Sequence, residues 1–186
     1  AVAHKLAQAG ATTIICARDA AALKEAKDEF AADGLTLHTY GADLADPEAC
    51  AKFVARVTAD HGGIDVLVNN AGRSIRRSIE HSYDRLHDLE RTMKVNYFGA
   101  VQVAMGFLPD MAERREGHIV NVSSIGVLTN APRFSAYVAS KAALEAWSHC
   151  AASEFLDRGV HFTNVNMPLV RTAMPAPTTF YASVPT

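Results

Sequence analysis

Residues 123–141 read SSIGVLTNAPRFSAYVASK, the end of one element followed by the start of another. Val120-Asn121-Val122, just ahead, is a short β-branched run and reads as a buried strand that ends at the hydroxyls of Ser123 and Ser124. Tyr137 and Lys141 stand four residues apart, so a helix there puts a phenol and an ammonium on one face. A strand end and a helix start thus aim Ser124, Tyr137 and Lys141 into one place. A free Tyr titrates at about 10 and is a poor proton donor at neutral pH. A neighbouring ammonium favours the phenolate and lowers that value, and proton transfer to a carbonyl or alcohol oxygen becomes feasible. A serine hydroxyl can hold the same oxygen. Alone, YxxxK is a common accident of helix surfaces; the surrounding chain decides.

Working outward, the strand–helix alternation repeats in both directions. Downstream, a helix spans 135 to about 156, with Ala139, Ala142, Ala143, Ala146, Trp147 and Cys150 on its tighter side. Val160 to Val165 is the last strand, and the Pro-rich 167–186 reads as a substrate-side loop. Upstream, 117–122 is a strand, preceded by a helix that runs through Met93 and Gly99 to about Glu113. Ile64 to Val68 is the most strand-like run and exits at Asn69-Asn70-Ala71-Gly72. A polar stretch with Arg73, Arg76 and Arg77 follows. Asp46 and Pro47 open a helix to His61 with Phe53, Val54 and Val57 inward. Leu35 to Tyr40 is a strand, 20–32 a helix stopped by Gly34, Thr12 to Ala17 a strand, and 1–9 a helix with Gly10 as its C-cap.

Strands joined by helix-length crossovers mark an α/β fold, a doubly wound parallel sheet with helices on both faces. In such sheets ligands sit beyond the carboxyl ends of the strands. Arg18, Asp43, Asn69, Ser124 and Met167 all fall at strand exits.

Composition narrows the function. The 186 residues suit one domain; 49% are hydrophobic and 20% charged, which favours a well-buried globular chain over a disordered one. The formal net charge of −2 gives no reason to expect a nucleic-acid or membrane-surface partner. Three separated cysteines, Cys16, Cys50 and Cys150, read as buried thiols in a reducing, cytoplasmic setting. No apolar run reaches the ~20 residues of a membrane span. The eight histidines match no zinc spacing, so no metal is expected. No Gly-x-Ser-x-Gly elbow is present, which disfavours a serine hydrolase.

Each singled-out residue has a plainer reading beside the functional one. Asn69 to Gly72 lets a flat ligand approach the backbone, or is simply a turn. Asn96, inside an apolar stretch, holds a proton-relaying water or satisfies its own helix. Arg18 lies where an adenosine ribose would sit in such a fold and suits a 2′-phosphate, whereas the adjacent Asp19 suits a 2′-hydroxyl. Asp43 accepts from an adenine amino group or is a solvated cap.

In this order and spacing, Asn69-Asn70-Ala71-Gly72, Asn96, Ser124 and Tyr137-x-x-x-Lys141 resemble the short-chain dehydrogenase/reductase family. The resemblance implies a Rossmann-like fold and an NAD(P)-dependent oxidoreductase. By it, Ser124 steadies the substrate oxygen and Tyr137 donates or accepts the proton. Lys141 lowers the Tyr137 pKa and binds the nicotinamide ribose, while Asn96 completes the proton relay. Cofactor-binding positions on this pattern are Arg18, Asp43, Leu44, Asn70, Ala71, Gly72, Tyr137, Lys141, Val170 and Thr172. Asp43 would touch adenine and Thr172 the carboxamide. Arg18 suits NADPH, with NADH the alternative. The family's TGxxxGxG turn, which cradles a pyrophosphate, is expected immediately before Ala1. Residues 1–186 therefore read as a single incomplete domain lacking a first strand.

A narrower likeness rests on residues 166–174, with Met167-Pro168 where the family usually has Pro-Gly, and on GRSIRRS at 72–78 leading into 81–99. These resemble the bacterial fatty acyl-CoA reductase-like branch. The branch implies reduction of a long-chain acyl-CoA or fatty aldehyde in lipid metabolism. Separately, the clustered Arg73, Arg76 and Arg77 either meet coenzyme A phosphates or form an ordinary solvated loop. The alternatives are the same mechanism on a hydroxysteroid, sugar or small ketone, or a non-catalytic nucleotide-binding or scaffolding domain. The small-residue helix faces suggest a homo-dimer or homo-tetramer.

Overall fold

A computed structural model describes residues 1–170. Along them, α1 (Val2–Gln8), β1 (Thr13–Ala17), α2 (Ala20–Ala32), β2 (Leu37–Gly41), α3 (Pro47–His61) and β3 (Val66–Asn69) follow one another. Next come α4 (Leu86–Met93), a π-helical segment (Lys94–Gly99), α5 (Ala100–Arg114) and β4 (Gly117–Ser124). The short α6 (Ile125–Thr129), α7 (Ser135–Glu154) and β5 (Val160–Met167) complete the series.

Every strand pairing is parallel: β1 with β2, and β3–β4–β5 in that order. Ile14 of β1 and Leu67 of β3 pack against one hydrophobic cluster, built from Tyr40, Val57, Val103, Phe107, Met111 and Ile119. α3 and α5 thus cover both sets of strands. Ile15 points the other way, into a second cluster with Ala7 of α1, Phe30 of α2 and Leu37, as period-2 alternation requires. Helices on both faces of a parallel sheet make the doubly wound, Rossmann-like fold. On the less covered face, Val66 and Val165 remain 51% and 36% exposed.

Local chemistry sets the boundaries. Asp19 and Asp46 cap α2 and α3, accepting from the amides of Ala21 and Ala22 and of Glu48. Gly62 ends α3 at φ 78° and Gly10 follows α1 at φ 90°, both in the left-handed region. A buried amide ladder crosses the sheet where Asn69, Asn121 and Asn164 share one register level. Asn69 Nδ2 donates to Asn121 Oδ1 at 2.9 Å, and Asn121 Nδ2 donates to Asn164 Oδ1 at 3.0 Å.

Three expectations need correction. The helix expected to run through Met93 to Glu113 is interrupted, because Lys94–Gly99 is π-helical, a distortion common at functional sites. α7 does not bury the alanine side: its buried residues are Ser140, Lys141, Leu144, Ser148 and Ala151, while Ala146 and Cys150 are exposed. Ser140, bonded to Asn96 of the π segment, and Lys141, bonded to Val122 O of β4, face inward in place of the small side chains. Of the cysteines only Cys50 is buried; all three are free thiols.

Candidate active site

Because all strands run parallel, their carboxyl ends share one edge. Asn69, Ser124 and Met167 are the last residues of β3, β4 and β5, and Arg18 directly follows β1. Asp43 lies just past β2. Arg18 and Asp43 approach to 4.0 Å with side chains 68% and 47% exposed, leaving the guanidinium open to an anion. Leu44 packs on the core beside them.

Ser124 ends β4 and caps α6, its Oγ accepting from Gly126 N at 3.1 Å. α6, left-handed Asn130 (φ 50°) and the following turn then lead into α7. Tyr137 lies in the first turn of α7, with Lys141 one turn on and its Nζ 6.0 Å from the Tyr137 ring centroid. Lys141 is 3% exposed and donates from Nζ to Val122 O at 2.7 Å.

Asn96 is fully buried in the π segment. It accepts from Arg73 N at 2.7 Å and donates to Arg73 O and Ser140 Oγ, both at 2.9 Å. The plain reading of Asn96 as satisfying only its own helix is therefore set aside: its side chain ties the loop after β3 to α7. Gly72, next to that loop residue, shows how close the parts come. A Cβ there would lie 3.4 Å from Asn96 Oδ1 and 3.7 Å from Lys141 Nζ.

The electrostatics differ from the expected lowering of the Tyr137 pKa by Lys141. Burial pushes the Tyr137 phenol above its ordinary value, and the hydrogen-bonding Ser124 hydroxyl pulls it back down. Burial takes Lys141 down to about 8, with Glu145 pulling the other way. The ammonium donates to the Val122 carbonyl and lies 6.0 Å from the Tyr137 ring centroid, and burial is the larger of the two influences on the phenol.

The structure thus gathers Asn96, Ser124, Tyr137, Lys141 and Gly72, with Ala71 and exposed Asn70 on the same loop. Val170 is exposed; Thr172 lies outside the described residues. Of the arginine cluster, Arg77 turns away: its Nε lies 3.4 Å from Asp88 Oδ2, which also accepts from Arg85 Nε at 3.0 Å. Sequence reasoning named the Ser123 hydroxyl but missed Glu145, which accepts from both Ser123 and Asn166 behind this group. Spacing held the signal, since Glu145 stands four residues beyond Lys141 on the Tyr137–Lys141 face. Chemically, this is a phenol beside a hydroxyl and a buried ammonium, groups suited to proton transfer at an oxygen.

A family model described as short chain dehydrogenase matches residues 1–179. An uncharacterized oxidoreductase of Mycobacterium tuberculosis is 51% identical over 189 residues, spanning 100% of this chain and 55% of that protein. A fatty acyl-CoA reductase of Acinetobacter baylyi is 48% identical over 185 residues, spanning 100% of this chain and 63% of that protein. The chain therefore covers only part of the length of these relatives. Among solved structures, a metagenomic short-chain oxidoreductase in complex with NADP superimposes with a TM-score of 0.83 at 32% identity, over 89% of this chain and 74% of that one.

Proposed function

The chain belongs to the short-chain dehydrogenase family, and from that premise we propose that it reduces a carbonyl with NADPH, its substrate a fatty acyl-CoA or fatty aldehyde. The observation that carries the reading is the convergence of Ser124, Tyr137 and Lys141 at the carboxyl edge of the sheet, with Asn96 tying the adjoining loop to their helix.

The residues fit a nicotinamide dinucleotide. The bare backbone at Gly72 leaves space beside Lys141 Nζ that a Cβ would fill, and Arg18 stands open at the end of β1. Lys141 would hold the nicotinamide ribose, Asn70 to Gly72 the floor, Asp43 and Leu44 the adenine side, and Arg18 a 2′-phosphate. When bound, the reduced cofactor supplies the hydride. Ser124 donates to the substrate oxygen and orients it. Tyr137 delivers a proton to that oxygen as negative charge builds on it. Lys141, protonated below about pH 8, stabilises the resulting phenolate, and Asn96 keeps the loop and α7 at a fixed separation.

The acyl-CoA assignment is supported by the likeness to the Acinetobacter baylyi reductase and by the basic loop after β3. Arg77 is committed to Asp88, and Arg73, beside Gly72 at the start of that loop, is the residue assigned to a coenzyme A phosphate. The test follows NADPH oxidation by the intact protein with acyl-CoA, fatty aldehyde and small-ketone substrates. In an Arg73→Gln variant, KM should rise about tenfold for acyl-CoA and stay unchanged for the phosphate-free aldehyde. Equal effects on both substrates overturn the coenzyme A reading. No NADPH oxidation with any carbonyl overturns the reductase reading.

A further inference from the structure

Three consecutive residues at the end of β4 are held from below by side chains. Lys141 Nζ donates to Val122 O at 2.7 Å. Ser123 Oγ donates to Glu145 Oε1. Ser124 O accepts from Asn166 Nδ2 at 3.3 Å, and the same Nδ2 donates to Glu145 Oε1 at 2.7 Å. One carboxylate oxygen therefore joins α7, the end of β4 and the end of β5, at the register level where Ser123 faces Asn166. Ser123 is 4% exposed, so a lost partner there is not replaced freely by water.

We propose that Glu145 is a positioning residue, whose carboxylate locks the ends of β4 and β5 so that Ser124 stays aimed at Tyr137, and stands as counter-charge behind Lys141. This rests on the assignment of Ser124, Tyr137 and Lys141 as the reacting group, and it gives a role to a residue outside that group. Two consequences separate it from a merely structural carboxylate.

The first is electrostatic. Lys141 is surrounded by the Val122 carbonyl of β4, by Asn96 and Gly72 from the π segment and loop, and by Tyr137 and Glu145 of its own helix. Of these only Tyr137 and Glu145 titrate. Burial drives the Lys141 ammonium toward neutrality and the Glu145 charge opposes it. Removing that charge makes Lys141 release its proton at lower pH. The second consequence is geometric. Without a carboxylate, Ser123 and Asn166 lose their common acceptor, and the Ser124 peptide keeps only its own 3.3 Å contact. The charge and the geometry can be removed separately. Glu145→Gln keeps an acceptor for Asn166 or Ser123 but no charge, whereas Glu145→Ala removes both.

The primary test needs no turnover. Heteronuclear NMR titration of the Lys141 ammonium, assigned with Lys141→Met, is run on the intact wild-type protein and on Glu145→Gln. The Lys141 midpoint should fall by at least about half a pH unit in Glu145→Gln, since an opposite charge within reach commonly shifts such a group by ~1–3 units. An unmoved or raised midpoint overturns the proposal. The second readout is the pH profile of kcat. Its alkaline limb should move down in both variants, while the plateau kcat falls about tenfold or more only in Glu145→Ala. A plateau loss with no movement of the limb overturns the counter-charge role. Equal plateaus in the two variants overturn the locking role. If Glu145→Ala does not fold, Ser123→Ala removes the same β4 tie while leaving the charge in place, and should lower the plateau without moving the limb. Failure of the wild-type protein to oxidise NADPH would count against the proposed reaction alone, because the titration still decides the placement of Glu145.

Discussion

Replacing Lys141 by Met is expected to stabilise the folded chain at neutral pH while abolishing turnover. Lys141 is 3% exposed, and burial lowers its pKa from 10.5 to about 8. At about 1.4 kcal/mol per pH unit, that drop amounts to about 3 kcal/mol against the buried ammonium below pH 8. Met forfeits the hydrogen bond to Val122 O, at about 1–2 kcal/mol for the orphaned acceptor. The net gain at pH 7 is then about 1–2 kcal/mol. The sign with pH follows from linkage. A lysine whose folded pKa is depressed binds fewer protons folded than unfolded between about pH 8 and 10.5, so wild-type stability rises relative to Met across that window. The Met advantage should therefore shrink above pH 8 and reverse by about pH 10.5, where only the lost hydrogen bond remains. Urea unfolding of both proteins at pH 7 and pH 10 measures the difference, in which other titrating groups largely cancel. A Met variant less stable at pH 7, or a difference that does not change with pH, refutes the argument.

Asn121→Ala should cost about 2–4 kcal/mol in urea unfolding, because it leaves buried Asn69 Nδ2 and half-buried Asn164 Oδ1 without partners; a loss under 1 kcal/mol would show that the ladder adds little. Asp88, whose carboxyl is held below its ordinary range first by the hydrogen bond from Arg85 and then by nearby cations against the cost of burial, anchors Arg77 of the loop after β3. A depressed carboxylate contributes stability above its unfolded pKa and loses it as pH falls through the folded value. Asp88→Asn should therefore speed amide exchange at Arg77 at neutral pH, with wild type and variant converging only at strongly acidic pH; equal exchange at neutral pH would remove Asp88 as an anchor.

The alternation of elements was legible where a strand is a short apolar run, as in β1 and β3, and where a helix begins or ends at a residue with a local job, such as Asp19, Asp46, Gly10 or Gly62. Tyr137, Lys141 and Ser124 were legible because spacing on a helix and a position at a strand end follow from the chain itself. The π segment was not. Asn96 is tolerated in an apolar stretch only because Arg73 and Ser140, distant in sequence, satisfy it. The buried face of α7 was misread for the same reason: small residues suggested close packing, but Ser140, Lys141 and Ser148 face inward, and tertiary partners make that possible for the first two. The expected acidification of Tyr137 by Lys141 also turned on direction, since spacing puts both on one face without saying that Nζ would point at Val122 O. α6, only five residues long, is too short for periodicity to register.

The central claim, that Tyr137 is the proton donor of a carbonyl reductase, is tested most directly by comparing Tyr137→Phe with wild type in two assays on the intact protein: NADPH binding by fluorescence titration, and turnover with a carbonyl substrate. The account predicts nearly unchanged NADPH affinity with turnover reduced by about a thousandfold or more. Undiminished turnover in Tyr137→Phe would contradict it.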